Sequence, residues 1–284
     1  MKCTLTPNDI FSDKMLDLDN CHKVLFGFRD ILTDKDIKKY YQFLDVILLQ
    51  YQMKSLSLIN LLKGTEYNRK RFYDIPSFFI LLRSLIENYL MFNYLFIQPT
   101  SKEEIIFRNL IYKRSGLKNR QKIESIPKDD PIRKREAEII KNLTFSIENH
   151  TLYNKLNAKA KNRINNKYSN NATIMSYYDI FESTILKDTH FFSFWRLCSN
   201  FAHSEYISIM QIKSIYIDKN NPNDIFTYKH NILLHSIYLI VLIINDFRNL
   251  FPELNSYYEK NPFNIISIAN EFDIKNYSNR IKQY

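Results

Sequence analysis

The sequence predicts an all-α fold, a multi-helix bundle of about seven to nine helices. Three observations predict it. Apolar residues recur at three- and four-residue spacing through most of the chain, the period of one helix face. Runs of alternating hydrophobicity bounded by Asn-Gly or Asp-Gly turns are missing. Only 3 of 284 residues are glycine, against a typical share of about 7%. That scarcity argues against folds built on tight hairpins or glycine-rich phosphate loops. With 45% hydrophobic and 25% charged residues, the chain has the material for a packed core, which excludes wholesale disorder.

The elements follow in order. Thr33 or Asp34 is placed to cap a helix reaching about Lys63, with Ile37, Leu44, Ile47, Leu48, Tyr51 and Leu58 on its apolar side. Gly64 stops it from the position after the last turn. Pro76 suits the first residue of a helix to about Ile97, and Pro99 closes that helix. Ser101-Lys-Glu-Glu104 is a capping-box pattern opening a third helix toward Ser115, where Gly116 is expected to break it. Asp130-Pro131 opens a fourth, carrying Ile132, Ile139, Ile140 and Leu143. Residues 154–171 are rich in Asn and Lys and read as a weak helix or loop. Residues 174–186 have helical spacing, and Asp188 or Thr189 caps a further helix over about residues 191–207. A loop over residues 218–224 precedes an apolar helix over about residues 226–250, ended before Pro252. A short tail helix is expected over 263–272. No internal repeat is visible. A single domain over 1–284 is expected, because the first and last helices both need partners for their apolar faces. Residues 101–171 form a basic helical excursion within it.

Charge is unevenly spread. The formal net charge is +10, and residues 102–167 alone hold 17 basic and 8 acidic residues. Such a concentration suits a polyanion such as RNA. Lys113, Arg114, Lys118, Arg120, Lys122, Arg133, Lys134 and Arg135 are its candidate contacts. Residues 1–11 contain no apolar run, so no signal peptide is expected. The most apolar run, residues 232–244, is shorter than the roughly 20 residues of a membrane span. His235 and Ser236 also interrupt it, so it reads as a buried helix and no membrane is expected. Cys3, Cys21 and Cys198 are few and scattered, which points to a reducing, cytoplasmic setting. The 6 histidines and 3 cysteines show neither a His-Glu-x-x-His nor a Cys-x-x-Cys spacing, so no metal and no cofactor are expected. Nucleophile elbows, dinucleotide fingerprints and phosphate loops are likewise missing from the sequence.

One constellation carries chemistry. In the segment from His190 to Tyr206, Arg196 and His203 are seven residues apart, with Ser199 and Asn200 between them. On a helix the two differ by about 20° around the axis and lie about 10 Å apart along it. Phe194, Trp195, Leu197, Phe201 and Ala202 surround this polar stripe, which costs desolvation unless it is paired or used. Earlier, Arg83 and Glu87 stand four apart on a strongly apolar helix. Packing that helix against the later one lets Glu87 orient Arg196 or His203.

Arg196-x6-His203 on a helix of an all-α chain resembles the Arg-x(4–6)-His signature of the HEPN superfamily. The pairing of Arg83-Ser-Leu-x-Glu87 with the later Ser199-Asn-Phe-Ala-His203 is similar in layout to a group of uncharacterised all-helical bacterial proteins. HEPN proteins are helical bundles that commonly dimerise, and many are metal-independent endoribonucleases of toxin, antiphage or RNA-processing systems. The resemblance implies that Arg196 and His203 are the two motif residues, with RNA as substrate, a homodimer and a regulatory protein partner. Asn200 would join them as a catalytic residue, with Glu87, Arg83 and Ser199 in support. Leu197 stands where the family often has a polar residue after the arginine. The chemistry is coherent for these residue types. Histidine moves a proton near neutral pH, and arginine clamps a phosphate through two parallel hydrogen bonds. The alternative is a non-catalytic helical module that binds a partner protein or nucleic acid through the basic stretch, with Arg196 and His203 as internal structure.

Overall fold

The computed structural model describes residues 7–32, 41, 43–125, 127, 129–166, 172–218 and 224–273. Among them the fold is all-α: thirteen α-helices and one small hairpin. The helices are α1 (Pro7–Ile31), α2 (Leu44–Leu62), α3 (Ile75–Phe92), α4 (Lys102–Arg120), α5 (Pro131–Glu148), α6 (Thr151–Lys155) and α7 (Ala158–Asn165). After them come α8 (Tyr177–Glu182), α9 (Phe191–Ala202), α10 (Tyr206–Lys213), α11 (Asp224–Leu250), α12 (Asn255–Lys260) and α13 (Ile265–Glu271). The surplus over the expected seven to nine comes mostly from short helices of eight residues or fewer. The chain divides into two compact units: residues 1–38, 42–92 and 185–284, and residues 39–41 and 93–184.

In the first unit α2 packs on α3, α1 on α11, and α3 also meets α9 and α11. Ring contacts set these faces. Phe28 of α1 stacks on Phe247 of α11 at 6.3 Å, and Phe79 of α3 stacks on Phe201 of α9 at 4.2 Å. The α11 helix is apolar almost all round, so it is buried almost all round. The polar groups that interrupt its apolar run each bond back to the helix through one atom. Ser236 Oγ donates to the Ile232 carbonyl at 2.8 Å, and His235 Nδ1 donates to the Asn231 carbonyl at 2.6 Å. Two stretches, Ile75–Ile97 and Asp224–Leu250, are long and apolar enough to cross a membrane by length and composition. Of their most apolar windows 61% and 78% are buried inside the protein, as in core helices.

The second unit has its own core, Phe107, Ile111, Ile147 and Ile164, with Leu152, Leu156 and Ile174 packed against it. Its helices start as the sequence foretells. Ser101 Oγ accepts from Glu104 N at 3.2 Å, and Asp130 Oδ1 accepts from Ile132 N at 2.8 Å. The returning arm of the capping box is shifted by one residue, since Glu104 Oε2 accepts from Thr100 N at 2.9 Å.

Several expectations are corrected. The helix from Ser101 does not break at Gly116; it continues to Arg120. The helical reading of residues 174–186 shrinks to α8, followed by a 3-10 turn at Ile185–Asp188. Residues 154–166 hold α7 and the end of α6, and 167–171 lie outside the described residues. The helix expected over 191–207 ends at Ala202. The α1 helix was not anticipated, although Leu18, Cys21, Leu25 and Phe28 keep helical spacing and are wholly buried. The caps proposed at Thr33 and Asp34 lie outside the described residues. The hairpin, Thr65–Tyr67 against Lys70–Phe72, was also not anticipated.

Candidate functional site

The α9 helix ends in a Schellman turn. Ser204 takes the left-handed conformation with φ +51°. Glu205 N donates to the Asn200 carbonyl at 2.9 Å, and Ser204 N to the Phe201 carbonyl at 3.4 Å. His203 is therefore the C-cap of α9, at the exposed end of the helix rather than within it. Aromatic packing holds α9 in place at both ends. Phe201 stacks on Phe79, and Phe194 lies 5.8 Å from Phe79 and 3.8 Å from the His235 ring.

The α3 helix supplies the other half. Arg83 lies one turn beyond Phe79, on a helix face that the packing turns toward α9. Its Nη1 donates to His203 Nε2 at 3.3 Å, and its Nε donates to Glu87 Oε1 at 3.0 Å. Arginine has donors only, so the His203 ring offers its Nε2 lone pair and carries its proton on Nδ1. The Arg83–Glu87 pair is half-buried, with side chains 26% and 34% exposed. Glu87 therefore acts on His203 through Arg83, not by direct contact.

The remaining sequence-selected residues are placed as follows. Arg196 and His203 are both exposed. Arg196 makes no ion pair or hydrogen bond among the described residues. Arg196 therefore joins no internal polar network among the described residues, whereas His203 does bond across to α3 through Arg83. Ser199 Oγ donates back to the Trp195 carbonyl at 3.0 Å, and half-buried Asn200 gives its carbonyl to the turn. Cys198 is buried, and burial pushes its thiol well above the ordinary range, partly opposed by the Arg83 charge.

A feature that sequence reasoning missed adjoins His203. An open cleft of about 190 Å³ is lined by Pro76, Phe201, Ser204, Ser208, Ile209 and Ile212. It lies where α9 turns into α10 against the first turn of α3. Ser204, in its left-handed turn, forms part of its wall, and no glycine or proline marks that turn in the sequence.

The basic candidates belong to the second unit, and they divide. Lys113, Arg120, Lys122, Lys134 and Arg135 are exposed. Lys118 is half-buried, and burial followed by Arg114 lowers its ammonium pKa below the ordinary range. Arg120 is paired with Glu136, and Arg133 donates to the Gln121 carbonyl at the end of α4. Arg114 is corrected as a surface contact. It is 2% exposed and donates to the Ile164 carbonyl at 2.8 Å and Asn165 Oδ1 at 3.3 Å.

Among the described residues, no three His, Cys, Asp or Glu side chains gather as a metal-binding group. No protein family, curated protein or solved structure matches the chain.

Proposed function

We propose that the chain is a metal-independent endoribonuclease of HEPN type, acting in the cytoplasm as a toxin or antiphage defence effector. One observation carries the reading: an exposed histidine, at a helix end beside an open cleft, accepts a hydrogen bond from an arginine braced by a glutamate. Arg83 and His203 are 120 residues apart in sequence, so the fold alone brings them together. The contact also supplies what strand cleavage needs. A phosphate entering the cluster competes for the Arg83 donors and draws Arg196 onto its second face. His203 Nε2 is then released to take the proton of the 2′-hydroxyl as its oxygen bonds to phosphorus and the 5′-oxygen leaves. The same ring returns a proton to that oxygen. The products are a 2′,3′-cyclic phosphate and a 5′-hydroxyl end. Asn200 and Ser199 hold the helix end from which His203 projects.

The test is cleavage of a mixed RNA pool in EDTA by wild type and His203→Ala. Wild type is expected to cut and the variant to be silent, with its helical circular-dichroism signal intact. Cleavage by the variant at the wild-type rate overturns the reading.

A second reading is favoured by α10. Its one buried residue is Ser208, while Tyr206, Ile207 and Ile209 are 74%, 56% and 56% exposed. An apolar helix turned outward suits a protein partner, and it is where the expected homodimer would close. In this reading the chain is a binding module and neither wild type nor variant cuts RNA. Sedimentation tests the dimer: self-association that Ile207→Glu abolishes supports it, and a wild-type monomer removes it.

A further inference from the structure

The hairpin after α2 has no core of its own. All six residues of its strands are exposed. Its turn residues, Asn68 and Arg69, both have positive φ, 50° and 61°. The register sets Thr65 opposite Phe72 and Tyr67 opposite Lys70, so Tyr67, Lys70 and Phe72 share one face. The Tyr67 and Phe72 rings meet edge to face at 6.5 Å, 67% and 46% exposed. Arg71 lies on the other face opposite Glu66, and Arg69 is at the tip. Residues 63–72 thus carry four basic residues and one acidic.

A two-stranded hairpin that buries nothing is marginal in water, so this one is held at its base. The Tyr216 hydroxyl donates to the Tyr73 carbonyl. The Lys229 ammonium sits 4.2 Å from the Tyr73 ring and 4.4 Å from the Phe11 ring. Burial, and then the Arg71 guanidinium, depress the pKa of that ammonium. Lys229 makes no ion pair among the described residues. Like charges are therefore brought together at the foot of a hairpin whose outer face shows aromatic rings to solvent.

We propose that the hairpin is a binding element for single-stranded RNA: Tyr67 and Phe72 stack on unpaired bases, and Arg69, Lys70 and Arg71 contact the phosphates. The identity of the ligand as RNA rests on the cleavage reading above. Stacking needs a base whose face is free, which a duplex does not offer. A membrane surface is the weaker match, because two large apolar side chains with Lys70 on the same face bury little area in a bilayer. The hairpin also leads to the site. Tyr73 and Asp74 join it to α3, where Pro76 lines the cleft and Arg83 follows two turns on.

The experiment is fluorescence anisotropy of a labelled single strand of about 15 nucleotides. It carries 2′-O-methyl riboses, so it has no nucleophile and binding is read whether or not the protein cleaves RNA. The full chain is compared with Tyr67→Ala/Phe72→Ala, with Arg69→Gln/Lys70→Gln/Arg71→Gln, and with Tyr67→Trp. Thermal melts are run on each. The aromatic pair is expected to weaken binding about tenfold or more, and Tyr67→Trp to retain it. The basic triple is expected to lower the slope of log affinity against log salt by about 2. Failure of wild type to bind the strand overturns the proposal, as does wild-type affinity in both multiple variants. Equal loss by the aromatic pair on a duplex of the same sequence also overturns it. So does loss confined to anionic phospholipid vesicles, which makes the hairpin a membrane element. Cleavage that survives while hairpin substitutions leave binding unchanged removes the hairpin alone. Hairpin-dependent binding without cleavage in the EDTA assay removes the cleavage reading alone.

Discussion

Arg83 donates on two sides, and the two bonds differ in what they are worth. The bond to Glu87 is a half-buried i,i+4 pair, whose contribution to stability is about 0.3–0.5 kcal/mol. In the proposed reaction the bond to His203 holds the reacting group. Arg83→Gln is therefore expected to change stability by less than about 1 kcal/mol while lowering RNA cleavage about 100-fold. Arg83→Lys keeps the charge but loses the fork, so it should recover only part of the rate. A melt and a single-turnover assay on the same preparations read both quantities, and equal loss of fold and rate would make Arg83 merely structural. Two buried histidines behave differently. His22 faces Ser55 Oγ at 2.8 Å, and burial, partly opposed by Asp19, lowers its pKa to about 4. His235 is lowered to about 4, chiefly by burial, against the opposing bond to Asn231. The unfolded chain takes up protons near the ordinary value of 6.5 that the folded chain refuses until about pH 4. Stability is thus full above that ordinary value and falls as pH drops toward 4, by about 2 kcal/mol per histidine at pH 5. Urea melts at pH 7.5 and pH 5 should show this fall, and His22→Gln should show a smaller one.

At the scale of the element, the glycines decide where sequence reading succeeded. Gly64 has φ +79°, and an added Cβ would lie 2.7 Å from the Tyr73 ring and 3.1 Å from the Phe72 carbonyl. It stops α2 as expected, and Gly64→Ala should cost about 1–2 kcal/mol or more. Gly116 is exposed inside α4, with nothing within 4 Å of an added Cβ. Gly116→Ala should therefore stabilise by about 0.5–1 kcal/mol. Melts of the two variants should move in opposite directions; a loss at Gly116 would contradict its helical placement. The same chemistry explains what could not be read. Outside Gly64, the left-handed positions among the described residues are Asn68, Arg69, Ser204 and Asn264. A chain nearly without glycine makes its turns with ordinary residues, so the hairpin and the end of α9 carried no signal. Elements started by Ser101, Asp130 and Pro76 were legible because caps and prolines declare themselves locally. The Arg83–Glu87 spacing and the Arg196–His203 spacing were legible too. That His203 is a cap accepting from Arg83 was not, because it depends on where Ser204 turns the chain.

For the whole molecule the question is which positive charges are free to meet a polyanion. The second unit holds 18 basic and 10 acidic residues, most of the net charge of +10. Composition alone overstates its surface. Arg108 is buried, donating to the Tyr94 carbonyl at 2.5 Å and to Glu104 at 2.5 Å. Arg114 binds the end of α7, Arg120 is paired with Glu136, and Arg133 closes the end of α4. These side chains fasten the unit. Lys113, Lys122, Lys134 and Arg135 are exposed, with no ion pair among the described residues. The two groups should therefore separate on neutralisation. Arg114→Gln removes a charged donor from a buried carbonyl and should cost about 1–3 kcal/mol, with little change in the salt dependence of RNA binding. Lys134→Gln/Arg135→Gln should leave the melt in place and lower the log–log salt slope by about 1.4 on a single strand. Melting and salt-titrated anisotropy on the same two variants check it. If Arg114→Gln alters the slope and the exposed pair does not, the charge excess of this unit serves folding and the polyanion surface lies elsewhere.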